Sequence, residues 1–415
     1  RVGNEELESW LLRLLEPKID FRFFAVEIDG ARVVLLEIAR AARHPVSFSG
    51  QEFIRVGTYK KKLKDFPEKE RALWRIFDQT PFEDGVVAER ATGDDVLRLL
   101  DYPAYFDLLE RPLPANREGI LEALADDRLI RSSDAGDWDV TNLGAILFAK
   151  RLDAFHGLRR KGVRVIQYRG NGRTETLREQ EGGKGYACGF EGLVGYINGL
   201  LPANEVIEKA LRKSVSMVPE LAVRELVANA LIHQDFFVTG SGPMVEIFDD
   251  RIEITNPGEP LVDTQRFVDT PPRSRNEALA SLMRRIRICE ERGSGIDKVV
   301  FQVELFQLPA PLFESPEGFT RTVLFAHKPL SAMEKADRVR ACYLHACLCY
   351  VTRKEMTNST LRSRFGVEER NRSTVSRLVR EAVEAGAIVP ADPDAAPKLM
   401  RYLPFWAGAR AEGRR

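Results

Sequence analysis

The residues best equipped for chemistry lie in one run, Arg224-Glu225-Leu226-Val227-Ala228-Asn229-Ala230-Leu231-Ile232-His233-Gln234-Asp235. On a helix, Glu225 and Asn229 stand at i and i+4 and share a face, while Leu226, Ala230 and Leu231 supply the apolar stripe opposite. A carboxylate so placed can orient or deprotonate a water. An amide oxygen one turn on can hold Mg²⁺, a hard cation that takes few protein oxygens and keeps phosphate ligands. Taken alone, the pair better fits a surface Glu and a helical Asn without partners. Two further stretches in chain order change that balance. Asp250-Arg251-Ile252-Glu253-Ile254-Thr255-Asn256-Pro257-Gly258 has the form of a strand ending in a turn that presents a polar side chain. Glu291-Arg292-Gly293-Ser294-Gly295-Ile296-Asp297 is a Gly-rich turn leading into a helix, where backbone amides can approach phosphate and the helix N-terminus favours anions.

The elements that must position these residues follow from periodicity. Residues 151–330 alternate strands and helices, with strands expected over 163–168, 244–248 and 251–255, and helices over 221–232 and 278–289. Gly182-Gly183-Lys184-Gly185 reads as a flexible loop; its spacing is not that of a P-loop, and no GxxxxGK[ST] occurs in the chain, so it is not a helicase motor. Residues 66–150 read as a helical connector, with amphipathic stretches at 94–100, 117–129 and 141–148. Residues 1–65 alternate in the strand manner, with a hairpin signal at Asp29-Gly30 between runs 21–28 and 31–38, and a third run over 52–57. This β-rich module opens on neither Met nor an apolar leader, so a preceding segment is expected. Residues 331–415 read as helix, turn, helix over 373–385 with Gly386 as its stop, and a strand from Ala387: a winged-helix order.

The order ExxxNA, NPG, GSGI resembles the GHKL ATPases: gyrase, MutL, the Hsp-type chaperone ATPases and histidine kinases. More closely, it is similar to the branch found beside Schlafen-type (AlbA-like) domains and called RecG-like C-terminal, or transcriptional regulator. Ser274-Arg275-Asn276 before a helix and Glu290-Glu291-Arg292-Gly293-Ser294-Gly295 after it carry that closer likeness, and Gln51-Glu52-Phe53-Ile54-Arg55-Val56-Gly57-Thr58 resembles the closing strand of the Schlafen-type domain. The resemblance covers roughly residues 1–330. It implies a partial Schlafen-type module and a Bergerat-like GHKL sandwich, which together with the C-terminal winged helix read from the element order make a multidomain α+β chain.

Several site assignments come with the resemblance. Glu225 would activate the water that attacks the γ-phosphate and Asn229 would ligate Mg²⁺. Asn256 stands where these proteins usually carry the Asp that reads the adenine amino group; its oxygen can accept that bond but lacks the charge. Gly258 would let the base lie against the backbone, Gly293, Ser294 and Gly295 would line the phosphates, and Arg275 and Lys184 are further candidate phosphate contacts. His233 is either a satisfied interior histidine or a nucleotide contact.

Composition sets the outer bounds. The chain has 415 residues, with 62 Lys+Arg balanced by 62 Asp+Glu, so no global nucleic-acid signature exists. The balance hides an asymmetry: from Ser331 onward 16 Lys+Arg face 10 Asp+Glu, a tail of net +6 that leaves −6 for the rest. On the second helix of that tail, Arg372, Thr374, Arg377 and Arg380 can face a DNA major groove while Val375, Leu378, Val379 and Val383 turn inward. Arg55, Lys60, Lys61, Lys62 and Lys64 form a second basic cluster, which fits a solvated face equally well. The five cysteines form no CxxC pair, which favours a reducing cytoplasm, and the cluster Cys342, His345, Cys347 and Cys349 reads as a buried helix face before a metal site. No apolar run is long enough to span a membrane.

The leading expectation is an ATP-binding, slowly hydrolysing regulator whose nucleotide state alters DNA affinity, in transcription or in defence, with dimerisation on lid closure. Its rivals are a non-catalytic interaction module with a degenerate pocket and the ATP-gated component of a nuclease.

Overall fold

The computed structural model describes residues 6–16, 18–19, 21–28, 31–38, 45–77, 81–133, 137–208, 211–271, 273–289 and 295–407. The fold is mixed α/β with several sheets, and its contacts divide it into two units, 1–81 and 82–415.

The first unit begins with helix α1 (Leu7–Leu14). Strands β1 (Phe21–Ile28) and β2 (Ala31–Ile38) pair antiparallel with Phe21 opposite Ile38 and Ile28 opposite Ala31. The turn expected at Asp29-Gly30 lies outside the described residues. A second hairpin, β3 (Gln51–Val56) and β4 (Tyr59–Lys62), turns at Gly57, whose φ of 58° lies in the left-handed region. Helix α2 (Pro67–Phe77) closes the unit. Lys60 and Lys61 stand on β4, with the Lys60 ammonium 4.2 Å from the centre of the Phe53 ring.

The second unit opens with three strands, β5 (Val86–Ala91), β6 (Ile130–Ser132) and β7 (Trp138–Thr141), in the order β5-β7-β6. Around them run α3 (Gly93–Leu99), α4 (Tyr102–Leu108), α5 (Arg117–Asp126) and α6 (Asn142–Phe148). All four of these helices start where a side chain caps free amides: Thr92 on Asp95, Asp101 on Ala104, Asn116 on Gly119 and Thr141 on Gly144. Next come β8 (Arg164–Tyr168), β9 (Thr176–Glu181), α7 (Tyr186–Leu200), the hairpin β10 (Ala203–Glu208) and β11 (Leu211–Ser216), and α8 (Glu220–His233). They are followed by β12 (Met244–Ile247), β13 (Arg251–Pro257), α9 (Glu277–Arg285), α10 (Gly295–Leu305), β14 (Leu312–Glu314) and β15 (Phe319–Phe325).

One six-stranded sheet, in the order β9-β8-β12-β13-β15-β14, organises this unit; β8 and β12 are parallel and every other pair is antiparallel. Period-two alternation sends Val165, Val245, Ile247, Ile252, Ile254 and Leu324 into the main core with α7 and α8. That core is continuous from Ala91 to Leu324, so the helices before residue 150 and the large sheet bury their apolar faces together. The other face of the sheet carries Glu246 and Glu253, both buried under Arg173, which bonds Glu246 at 2.6 and 2.9 Å and Glu253 at 2.7 Å.

The helix expected over 278–289 stops at Arg285. Arg287 takes a φ of 61°, its N–H donates to Arg284, and the Ile288 N–H reaches back to Met283 at 2.9 Å. This is a Schellman ending with Arg in the place that usually holds Gly, stabilised by the buried pair Met283 and Ile288.

The chain finishes with α11 (Lys335–Val351), α12 (Asn358–Phe365), α13 (Arg372–Glu384) and a hairpin of β16 (Ile388–Pro390) with β17 (Tyr402–Pro404). Val375, Leu378 and Val379 bury one side of α13 against Cys342, Ala346 and Leu361. Cys342 and Cys347 are fully buried, and among the described residues no group of three or more His, Cys, Asp or Glu side chains is placed to hold a metal.

Three helices meet at Glu304, near the end of α10. Its Oε2 lies 2.9 Å from His345 Nδ1 on α11, and its Oε1 lies 3.7 Å from Arg364 Nε on α12. Burial alone would lower the His345 pKa, but Cys349 and Glu304 outweigh it and hold the value at about 9. A histidine raised above its ordinary 6.5 adds stability below that pH and loses it as pH rises through about 9. Thermal melts from pH 6.5 to 9.5 are expected to show a falling midpoint that flattens in His345→Gln.

Candidate nucleotide site

Helix α8 is buried along most of its length because it lies between the sheet and the helices α7 and α10. A polar stripe along it faces a cavity of about 670 Å³. Glu225, Asn229 and His233 line the cavity from α8, Ile254 and Asn256 from β13, and Thr320 and Thr322 from β15. The loop 259–275, one side of α9 and the first turn of α10 close the remaining walls.

Gly295 sits hard against the two residues singled out by spacing. A Cβ there would lie 2.9 Å from Glu225 Oε2 and 3.7 Å from Asn229 Nδ2, so any larger residue displaces the carboxylate or the helix. The backbone of α10 thus starts beside a carboxylate and an amide one turn apart. Gly293 and Ser294 lie outside the described residues.

Across the cavity, Asn256 is 5% exposed and its Nδ2 donates to the Pro257 carbonyl at 3.1 Å. Gly258 follows with a φ of 101°, and a Cβ there would meet Arg275 Nη1 at 2.7 Å and Asp235 Cβ at 2.9 Å. Both its conformation and its neighbours require glycine.

The segment that begins the far wall is tied to the end of α8. Asn276 Nδ2 donates to the Ile232 and Gln234 carbonyls, each at 2.8 Å, and Arg275 Nη1 donates to the His233 carbonyl at 2.8 Å. Arg275 Nη2 bonds the Glu259 carbonyl at 3.0 Å. The Arg275 guanidinium therefore lines the cavity while serving backbone acceptors. The run after the helix is likewise structural: Gln234 is fully buried against Tyr186, and the Asp235 N–H donates to the Pro257 carbonyl at 2.8 Å. Burial, and then the positive charge of Arg275, push the His233 pKa down to about 4, so its imidazole faces the cavity neutral at physiological pH.

Of the residues expected at the site, Glu225, Asn229, Asn256, Arg275 and Gly295 come together in this cavity. Gly258 stands directly behind Arg275. Lys184 does not join them; it is exposed on the loop before α7. Spacing missed Arg128, Arg273 and Arg284, which also line the cavity. For Arg284 a signal existed: Glu277, Ala280, Ser281 and Arg284 form a stripe at helical spacing, opposite the buried Leu279, Leu282 and Met283. Arg128 gave none, since it arrives from the turn after α5 with a φ of 60°.

On α13, Arg372, Arg377 and Arg380 are exposed and Thr374 is half-buried. Arg370 and Arg362 nearby are paired with Glu368 and Glu369.

Two family models match the chain. Residues 240–324 match the one described as "Putative ATP-dependent DNA helicase recG C-terminal", and residues 2–64 match "Schlafen, AlbA_2". The combination expected from the sequence is therefore present. The first match holds Asn256, Gly258, Arg275 and Gly295; α8, with Glu225 and Asn229, precedes it. Among solved structures, the chain is similar to the crystal structure of the DIP2311 protein from Corynebacterium diphtheriae, at 20% identity and a TM-score of 0.48, over 98% of this chain and 80% of that one. No curated protein matches the chain. No helix among the described residues is long and apolar enough to cross a membrane.

Asn276 is 3% exposed and supplies two carbonyls at once. Asn276→Ala is expected to cost about 2–3 kcal/mol, because two buried acceptors lose their donor. Chemical denaturation of the two proteins measures it, and an unchanged midpoint would mean that water replaces the amide.

Proposed function

We propose that the protein is an ATP-binding, nucleic-acid-associated regulator, built from a GHKL-type sandwich around the six-stranded sheet and a winged helix at residues 331–415. The observation that carries this reading is the junction of Glu225, Asn229 and Gly295 in one cavity. Its donor set suits a Mg²⁺–phosphate group: one amide oxygen for the metal, a carboxylate beside it, and a glycine cradle that a Cβ would fill. Bound Mg²⁺ would neutralise charge on the phosphates. Asn229 would hold it, Glu225 would orient and deprotonate the attacking water, and the backbone from Gly293 to Gly295 would receive the phosphate oxygens. Asn256 would accept from the adenine amino group, and Gly258 would let the ring approach the chain. The match to an ATPase-type domain supports the same reading.

Nucleotide binding would act through a difference in affinity between two domain arrangements, one of which holds DNA better. A homodimer formed on lid closure and a cytoplasmic location belong to this proposal; the five free cysteines fit the latter. The second reading, a pocket that binds without turnover, draws on the neutral Asn256 in place of a carboxylate.

Calorimetry with ATP and Mg²⁺ on the whole chain is expected to show saturable binding that weakens sharply in Asn229→Ala, and hydrolysis, where present, is expected to vanish in Glu225→Gln. Absence of binding at millimolar ATP would rule out the nucleotide reading.

For α13, Arg377→Ala and Arg380→Ala are each expected to weaken binding to duplex DNA. Each should also lower the slope of log affinity against log salt by roughly one. Fluorescence anisotropy across a salt series reads both effects, and an unchanged affinity in the double variant would remove α13 from the interface.

A further inference from the structure

We infer that Arg284, on α9, is the side chain that engages the terminal phosphates of the bound nucleotide. This rests on the reading of the cavity as an ATP site and adds the residue that would tell a triphosphate from a monophosphate.

The arginines around the cavity are not equivalent. Arg275 spends its guanidinium on the His233 and Glu259 carbonyls. Arg128 leans toward Asp84, at 3.8 Å. Arg284 is exposed, lines the cavity, and has no carboxylate partner among the described residues. Its neighbour Arg285 points the other way and makes a two-pronged bond to Asp127, at 2.6 and 3.0 Å. Adjacent positions on one helix therefore have opposite assignments: one fastens α9 to the protein and the other is left with its charge in the cavity.

Position separates Arg284 from Arg273, which also has no carboxylate partner among the described residues. Cys289, on the cavity wall just beyond α9, feels the charge of Arg284 and of Glu225 together; burial first, with Glu225 adding and Arg284 opposing, sets its thiol at about 11. Arg273 precedes Asn276, which is tied to the C-terminal end of α8, whereas Arg284 stands about two turns farther along α9, on the part of the chain that leads on to Gly295 against Glu225.

The helix that carries it is held at both ends. Glu83 accepts from the Ala278 and Leu279 amides at its start, Leu279 and Met283 are buried along it, and the Schellman ending closes it. A guanidinium on a fixed helix forms charge-assisted bonds to phosphate with little left to order. A plainer role exists, since a cation in the last turn also favours the helix dipole. That role would affect stability and would not depend on the number of phosphates.

The test compares ATP, ADP and AMP, each with Mg²⁺, by calorimetry on the full chain, Arg284→Ala and Arg284→Lys, with thermal melts alongside. The expected result is a loss of about tenfold or more for ATP in Arg284→Ala. AMP affinity should stay within about twofold, with partial recovery in Arg284→Lys. Unchanged ATP affinity in Arg284→Ala, while the unmodified chain binds ATP, would overturn the inference and leave the nucleotide reading standing. Equal losses for ATP and AMP would overturn it too, in favour of the helix-stability role. Failure of the unmodified chain to bind any of the three would remove both. Should Arg284→Ala not fold, Arg284→Gln replaces it with the same outcomes.

Discussion

Three carbonyls at the end of α8 set the shape of the candidate site. Those of Ile232, His233 and Gln234 end a buried helix, where no later turn can supply their donors. Arg275 and Asn276 supply them instead. An unpaired carbonyl in such a place costs about 1–3 kcal/mol, so the tie is strong enough to fix the chain that makes it. Because Arg275 and Asn276 lead directly into α9, the helix bearing Glu225 and Asn229 and the opposite wall of the cavity are positioned by the same bonds. Gly258 completes the arrangement, since any side chain there would collide with the Arg275 head group.

The same economy governs α10. Its first residue lies against Glu225, and nine residues on, roughly 14 Å along a regular helix, Glu304 meets His345 and Arg364. A single rigid element therefore touches the cavity at one end and the C-terminal helices at the other. Contiguity of this kind is not coupling in itself; coupling requires two arrangements that a ligand binds unequally. The contact at Glu304 is suited to having two, because Glu304 Oε1 and Arg364 Nε and Nη1 are buried without hydrogen-bond partners. An interface with unused polar capacity has less to lose on rearrangement than one fully satisfied.

What the sequence made legible followed from periodicity and from glycine. The spacing of Glu225 and Asn229 identified a shared helix face, and the alternation at 163–168, 244–248 and 251–255 identified strands of the large sheet. The glycine before Ile296 marked a close approach. What stayed hidden depended on long-range partners. Helical spacing sets Arg284 on the stripe with Glu277 and Ser281, but nothing local shows that Asp127, 158 positions away from Arg285, takes that residue and leaves Arg284. The end of α9 was misplaced because Arg287 adopts a left-handed conformation that sequence rules assign to Gly. The bonds of Arg275 to the His233 and Glu259 carbonyls were equally hidden, because main-chain acceptors carry no residue signal. The main core crosses residue 150 without a break, and composition has no means of showing that.

Asn256 illustrates how a departure from a motif can be structural. Its Nδ2 faces the Pro257 carbonyl at 3.1 Å, in a turn that is also held by the Asp235 N–H to Pro257, the Gly258 N–H to Gly318 and the Thr320 hydroxyl to the Gly258 carbonyl. A carboxylate in the same rotamer would set an oxygen against that carbonyl oxygen, and two acceptors at hydrogen-bond distance repel. Asp at this position would have to turn away, or the strand end would have to shift. The amide suits the turn as it is built: the nitrogen serves the backbone, and the oxygen remains the acceptor that a donor in the cavity can meet. Neutrality at Asn256 follows from the local hydrogen-bond geometry, so it is weak support for a decayed pocket.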